Sequence, residues 1–221
     1  MKINSKIYKA ALLLVGLCNF TPIAFCTGTV TGKVNRSKTC ETSNGAVRYG
    51  KVNGTVEASM ARYRKGVVVY LKGVNENVIP KNATMDQKNL EFIPHVVVVP
   101  VGSTVSFINS DKVNHDIFSA SACKKMDIDN FHPGSTRTEF FGMACAVNLL
   151  CDLHSEMSGF VVVVDSNHFA VTGTDGKFMI GQVPPGTYDV AVWSEKLKPQ
   201  RKMTVTVNSG QTSTIEIPLM K

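Results

Sequence analysis

Residues 151–157 read CDLHSEM, which sets Cys151, His154 and Met157 three positions apart. A thiolate, an imidazole and a thioether suit copper better than a hard cation. A trigonal set with a weak axial methionine needs one more nitrogen donor, and seven consecutive residues wrap a metal poorly, so that donor must come from a distant loop. The segment NSDKVNHDIFS supplies His115, just after a strand that ends near Asn109. The candidate metal site is therefore His115, Cys151 and His154 as strong ligands with Met157 axial. Such a site cycles one copper between its one-electron states and needs no substrate position, so the expectation is an electron carrier and not an enzyme. The competing account of the same residues is a cysteine in a disulfide, a methionine in a core and a histidine at the surface.

Bringing His115 to residues 151–157 requires elements whose ends meet in space. Alternating and β-branched runs dominate the chain: VRYGKVNGTVEA, KGVVVYLKGV, VVVVPVGSTVSFINS, GFVVVVDS, GTYDVAVWS and KMTVTVNSGQTSTIEIPL. Gly, Pro, Asn and Asp turn signals separate them, which predicts an all-β protein of sandwich type, where loops at one end converge. In VPVGSTVSFINSD, Val98, Val101, Val105 and Phe107 are expected on an inner face, with Gly102 and Ser103 in the turn and Asn109, Ser110 and Asp111 ending the strand. KNATMDQKNL, residues 81–90, is polar and aperiodic and reads as a linker into a new unit. A second break falls at Asp165, Ser166 and Asn167. Beyond it, Asp175 and Gly176 predict a hairpin turn and Pro184, Pro185 and Gly186 another, within a unit of about 50 residues that is too short to bury a core unaided.

The first residues carry Lys2, Lys6 and Lys9 around the apolar run Ala10 to Leu17, the layout of a secretory signal peptide over residues 1–26. No stretch reaches the ~20 apolar residues of a membrane span, so a periplasmic or secreted protein is expected. The formal charge of +7 falls to +4 without those lysines, since that segment has no acidic residue. No dense Lys/Arg stripe or recognition helix points to nucleic acid. Six cysteines in an exported chain call for disulfides. Cys18 leaves with the leader. If Cys26 survives cleavage, pairing it with Cys40 and Cys123 with Cys145 leaves Cys151 single, and a metal would protect that thiolate; if Cys26 is lost, Cys40 is odd as well.

Other candidates carry less. Met85 and His95 could form a second copper contact or a relay, but Pro94 already accounts for an ordered bend there. His132 approaching the site, and His168 as anything beyond a surface or junction residue, are the minority readings. Met126, Met143 and Met179 are scattered core filler. GTDGKF lacks the spaced acidic ligands of a calcium loop. No hydrolase triad or nucleotide-binding loop has supporting context, so no small organic substrate is expected.

FIPHVVVVPVGSTVSFINSDKVNHDIFS and LLCDLHSEMSGFVVVV resemble the cupredoxin, or blue copper, family: the run into its first histidine ligand, and its closing ligand loop with the last strand. The resemblance implies a Greek-key sandwich and one type 1 copper held by His115, Cys151, His154 and Met157. The tight spacing around His154 is similar to the shortest ligand loops, such as amicyanin's. Together with MDQKNLEFIPH and FAVTGTDGKFMIGQVPPGTYDVAVW, the motifs are similar to bacterial methylamine-utilisation and plastocyanin-like proteins, over about Gly50 to Trp193. The flanks, GVVVYLKG and FAVTGTDGKFMIGQVPPGTY, look like a carboxypeptidase regulatory-like, transthyretin-type sandwich. The implied organisation is a cupredoxin domain (80–166) inserted into a smaller β-sandwich (27–79 and 167–221). Its partners are expected to be a redox protein that docks through an apolar patch at the edge of His154, with Ser158, Gly159 and Phe160 supporting the loop, or else a copper-transfer partner. A surface module with structural copper, or a metal-free binding sandwich, is the remaining alternative. Three departures stand out: Asp116 where the family commonly has Asn, His132 before Pro133 and Gly134 where relatives have a tyrosine-like residue, and Cys123 with Cys145, an added clamp on the ligand-bearing loop.

Overall fold

The computed structural model describes residues 27–36, 66–199 and 201–220. The expected leader, the Cys26 and Cys40 pairing and the strand expected over residues 47–58 lie outside the described residues. Seventeen strands, numbered β1 to β17 along the chain, form four sheets among the described residues. No helix there is long and apolar enough to cross a membrane.

The two ends of the chain build two of the sheets. One has the order β13 (Lys177–Val183), β1 (Gly28–Arg36), β17 (Thr212–Met220), β15 (Lys198–Pro199). The other runs β12 (Phe169–Val171), β2 (Val68–Lys72), β14 (Gly186–Trp193), β16 (Met203–Val207). Every second residue of these strands points inward, and Val30, Val34, Val69, Leu71, Phe178, Ile180, Val205 and Ile217 meet in one core.

The middle of the chain builds the other two. One has the order β4 (Phe92–Ile93), β3 (Ala83–Gln87), β6 (Ser103–Asn109), β9 (Thr136–Phe141). The other runs β5 (Val96–Pro100), β11 (Ser158–Val164), β10 (Cys145–Leu150), β7 (His115–Ser121), β8 (Lys124–Phe131). Met85, Val105, Phe107, Ile117, Phe131, Val147, Leu149 and Val161 from both sheets share a second core.

The valine runs have a use for both faces. Val97, Val99, Val161 and Val163 enter the second core, while Val96, Val162 and Val164 join Val68 in a third cluster with Tyr70, Val98, Phe160, Phe169 and Trp193 packed on it. A strand covered on both sides reads as an unbroken apolar run, because no position has to be polar. Val98 therefore faces the junction of the two units, not the inner face expected for it, and Val97 and Val99 take that place.

Other local expectations shift for equally simple reasons. Residues 81–90 contain β3, which lies between β4 and β6 and is no linker. Ala83, Met85 and Gln87 of that strand face inward, one small and one polar, so the alternation is masked. The turn at Val101 and Gly102 comes one residue early, with Gly102 at φ 85°, a conformation that favours glycine. Asp175 and Gly176 do turn the chain, but β12 and β13 on either side enter different sheets, so the turn crosses the sandwich instead of closing a hairpin. His168 is buried at the junction, with Nε2 against Glu76 Oε1, and is not a surface residue.

Cys123 and Cys145 form a disulfide with Cα atoms 6.6 Å apart. It ties the turn after β7 to the first residue of β10. The clamp thus lies at the far end of these strands from residues 151–157, not on the ligand-bearing loop.

Removing an inward side chain leaves a cavity in a core shared by two sheets. Phe107→Ala is expected to lower the unfolding free energy by about 3–5 kcal/mol in urea denaturation. Ser106→Ala, one residue along and on the outer face, is expected to stay within about 0.5 kcal/mol.

Candidate metal centre

His115 opens β7 and Cys151 follows the last residue of β10. These strands are antiparallel neighbours, so the start of one and the end of the other fall at the same end of the sheet. The chain then turns within residues 152–157, where Met157 N–H donates to His154 O at 3.0 Å, and re-enters the sheet as β11. Gly159, the second residue of β11, lets Phe92 pack against the strand, since a Cβ there would meet Phe92 Cβ at 2.9 Å.

This topology brings three of the four expected ligands together. His115 Nδ1 lies 3.1 Å from His154 Nδ1, and His154 Nδ1 lies 3.7 Å from Cys151 Sγ. All three donor atoms fall within 4.8 Å of one another. Bonds of ~2.0 Å to nitrogen and ~2.3 Å to sulfur are long enough to bridge the 3.1 Å and 3.7 Å edges. His115 and Cys151 are buried and His154 half-buried. Cys151 is a free thiol, so the disulfide alternative does not apply to it. Met157, the fourth expected ligand, is fully buried in the same core cluster as Cys151.

A shell of hydrogen bonds orients these groups. Asp111 Oδ2 accepts from His115 Nε2 at 2.9 Å, which leaves Nδ1 as the ring's lone-pair nitrogen. The same carboxylate accepts from Asn89 N–H at 2.7 Å and Leu90 N–H at 3.0 Å, two residues in the left-handed region with φ 57° and 59°. Burial works to raise the Asp111 carboxyl's pKa, but the bonds from Leu90, His115 and Asn89 and the His115 charge together hold it below the usual carboxylate range. Asn109, buried, donates from Nδ2 to Val113 O at 2.9 Å and Phe131 O at 2.7 Å and accepts from Asp111 N–H at 3.0 Å, which folds the loop leading into His115.

Asp116 takes a backbone role and a side-chain role in different directions. Its N–H donates to Cys151 Sγ at 3.5 Å. Its carboxylate turns away and accepts from Asn130 N–H at 3.1 Å, where Asn130 has φ 50°. Gln87 Nε2 donates to Asp116 O at 3.2 Å and so braces the residue after His115 from β3.

The remaining candidates fall elsewhere. His132 is exposed and pairs with Asn114 Oδ1 at 3.1 Å, outside the cluster. Met85 is core. His95 sits at the junction of the two units, bonded to Ser158 O and Glu195. The orienting roles of Asn109 and Asp111 were not anticipated, since both read as strand-ending turn residues. The four-residue spacing of Asp111 and His115 was the available signal.

Around the cluster the surface is apolar on one side and acidic on the other. Leu90, Val113 and Leu153 are exposed, and the last two belong to the loops that carry His115 and His154. The charge of Asp129 raises the Asp127 pKa, helped by burial, by a hydrogen bond with Asp129 and by the charges of Asp152 and Asp116.

The Carboxypeptidase regulatory-like domain family matches residues 154–220. That span begins at His154 and takes in β11 of the middle sheets before it reaches the outer strands. No curated protein matches the chain. Among solved structures, a copper-containing nitrite reductase from Thermus scotoductus SA-01 is 21% identical with a TM-score of 0.36, over 43% of this chain and 25% of that one, so the chain spans only a quarter of the reductase. A purple cupredoxin from Nitrosopumilus maritimus is 22% identical with a TM-score of 0.34, over 37% of this chain and 99% of that one. A copper(I) amicyanin variant is 16% identical with a TM-score of 0.36, over 43% and 98%. The chain is thus similar to a carboxypeptidase regulatory-like domain in its C-terminal part, and the case for a metal rests on the donor geometry itself.

Proposed function

We propose that this chain is an exported type 1 copper protein that passes single electrons between redox partners. The observation that carries the reading is the convergence of His115 Nδ1, His154 Nδ1 and a free, buried Cys151 Sγ within 4.8 Å. Two imidazoles and a thiolate are a donor set for copper, and the copper supplies a one-electron couple. Met157, buried in the same core cluster as Cys151, is the proposed weak axial ligand. In the same reading, the middle strands form a Greek-key cupredoxin unit inserted into a regulatory-like sandwich. Its support is that the middle strands and the outer strands pair only among themselves.

The chain's own residues do the rest of the work. Asp111 fixes the tautomer and angle of His115. The Asp116 N–H on Cys151 Sγ withdraws charge from the thiolate and favours the reduced centre. Burial of His115 and Cys151 excludes water and holds one ligand arrangement through both oxidation states. His154, half-buried next to exposed Leu153 and near Val113, offers the edge through which a partner makes contact. Small apolar contacts of this kind suit brief encounters. The neighbouring carboxylates favour a partner that brings positive charge to that side.

Adding one equivalent of cupric ion to the mature chain is expected to give an intense thiolate-to-copper absorption band and a narrow copper hyperfine splitting in paramagnetic resonance. Cys151→Ser is expected to abolish both. Absence of the band in the unsubstituted protein would falsify the reading. Ready loss of cuprous ion to a chelator would instead mark a copper-holding or delivery protein.

Asp111→Asn keeps the side chain's shape but removes the charge that orients His115. Copper affinity is expected to fall about 10-fold to 100-fold in a competition titration, with the band retained.

A further inference from the structure

His95 stands where the two units of the molecule touch. Its carbonyl oxygen accepts from Phe160 N–H at 2.9 Å. Its ring Nδ1 lies 3.0 Å from Ser158 O and its Nε2 lies 3.2 Å from Glu195 Oε2. Both partners are acceptors, so each bond needs a ring N–H. The ring also packs edge-on to Phe160, with centroids 5.6 Å apart, and Phe160 packs on Trp193 at 5.0 Å. Glu195 and Trp193 belong to the outer unit, whereas Ser158 directly follows Met157. An unbroken set of contacts therefore runs from the outer unit to the end of the 151–157 turn.

A cavity of about 440 Å³ lies at the same place, lined among others by Phe92, Met157, Ser158, Val171 and Glu195. His95 lines this cavity, and its ring bridges the two units there through Ser158 and Glu195. A half-exposed ion pair alone contributes little to stability, and His95 and Glu195 side chains are 46% and 36% exposed. Their effect is on position: the ring is held by two polar bonds and one aromatic face, and the backbone it grips is the one next to Met157.

We infer that His95 is a positioning residue that fixes the Met157 end of the metal loop and, through Glu195, makes that position depend on the outer unit. The inference rests on the copper reading only for its spectroscopic consequence, because the weak axial ligand tunes the centre's potential. The outer sandwich then serves to set the geometry of a site it does not line.

The test uses the full mature chain with Glu195→Ala, Glu195→Gln and His95→Ala. Glu195→Ala leaves the ring packing on Phe160 in place, so it reports on the bridge even where His95→Ala fails to fold. In metal-free protein, hydrogen exchange at Met157 N–H is expected to quicken about threefold to tenfold in Glu195→Ala. Glu195→Gln, which keeps an acceptor, is expected to stay within about twofold. In copper-loaded protein the ratio of the two thiolate-to-copper bands is expected to change in Glu195→Ala and to hold in Glu195→Gln. Exchange and band ratio both equal to the unsubstituted protein in Glu195→Ala would overturn the inference, as would faster exchange with an unmoved band ratio. Failure of the unsubstituted protein to bind copper, with exchange still altered by Glu195→Ala, would sink the electron-carrier reading and leave His95 as the positioning residue of this turn.

Discussion

Two imidazole nitrogens, His115 Nδ1 and His154 Nδ1, face each other at 3.1 Å. With its Nε2–H on Asp111, a neutral His115 ring presents Nδ1 as a lone pair toward the same atom of His154. A second bare lone pair at that distance is repulsive unless a proton or a metal lies between them. With Cys151 Sγ closing the third corner, a metal satisfies all three donors at once, whereas a proton satisfies only the pair. The antiparallel placement of β7 and β10, the Asn109 scaffold and the Asp111 carboxylate all serve to hold this one juxtaposition. The disulfide at the opposite end of β7 and β10 fixes the same two strands where the ligands cannot.

The fold divides its labour along that line. One pair of sheets builds the core against which His115, Cys151 and Met157 are set. The other pair has its own core and contributes no donor atom to the cluster. They meet through a third apolar cluster of valines and aromatics, and beside it through the polar bridge of His95 and Glu195. The apolar cluster supplies adhesion without direction, and the bridge supplies direction with little adhesion.

Much of this was legible in the residues. Turn signals and β-branched runs are local, so the all-β class followed from them, and the soft donors with one distant histidine picked out the cluster that the strands assemble. What escaped was whatever depends on a partner surface. Four valines in a row do not say which of them faces which layer, so Val98 was misplaced. β3 looked like a linker because its inward side chains are Ala83, Met85 and Gln87, one small and one polar. His168 read as a surface or junction residue, and its burial was missed because the Glu76 that meets it lies 92 positions earlier in the chain. Asp111 looked like a strand-ending turn residue because its bonds to Asn89 and Leu90 exist only once the loop after β3 has met the loop before β7.

The third cluster has a meaning for how this chain can be cut or inherited. Val96, Val162 and Val164 face outward from the middle unit and are covered only because Val68, Phe169 and Trp193 lie over them. Excised alone, the middle unit would display a β-branched, uncharged apolar face, the kind of surface that associates with copies of itself. The donor cluster is thus not a portable module in this chain. A gene fragment encoding it would acquire an aggregation liability along with His115, Cys151 and His154, so the two units are bound to travel together.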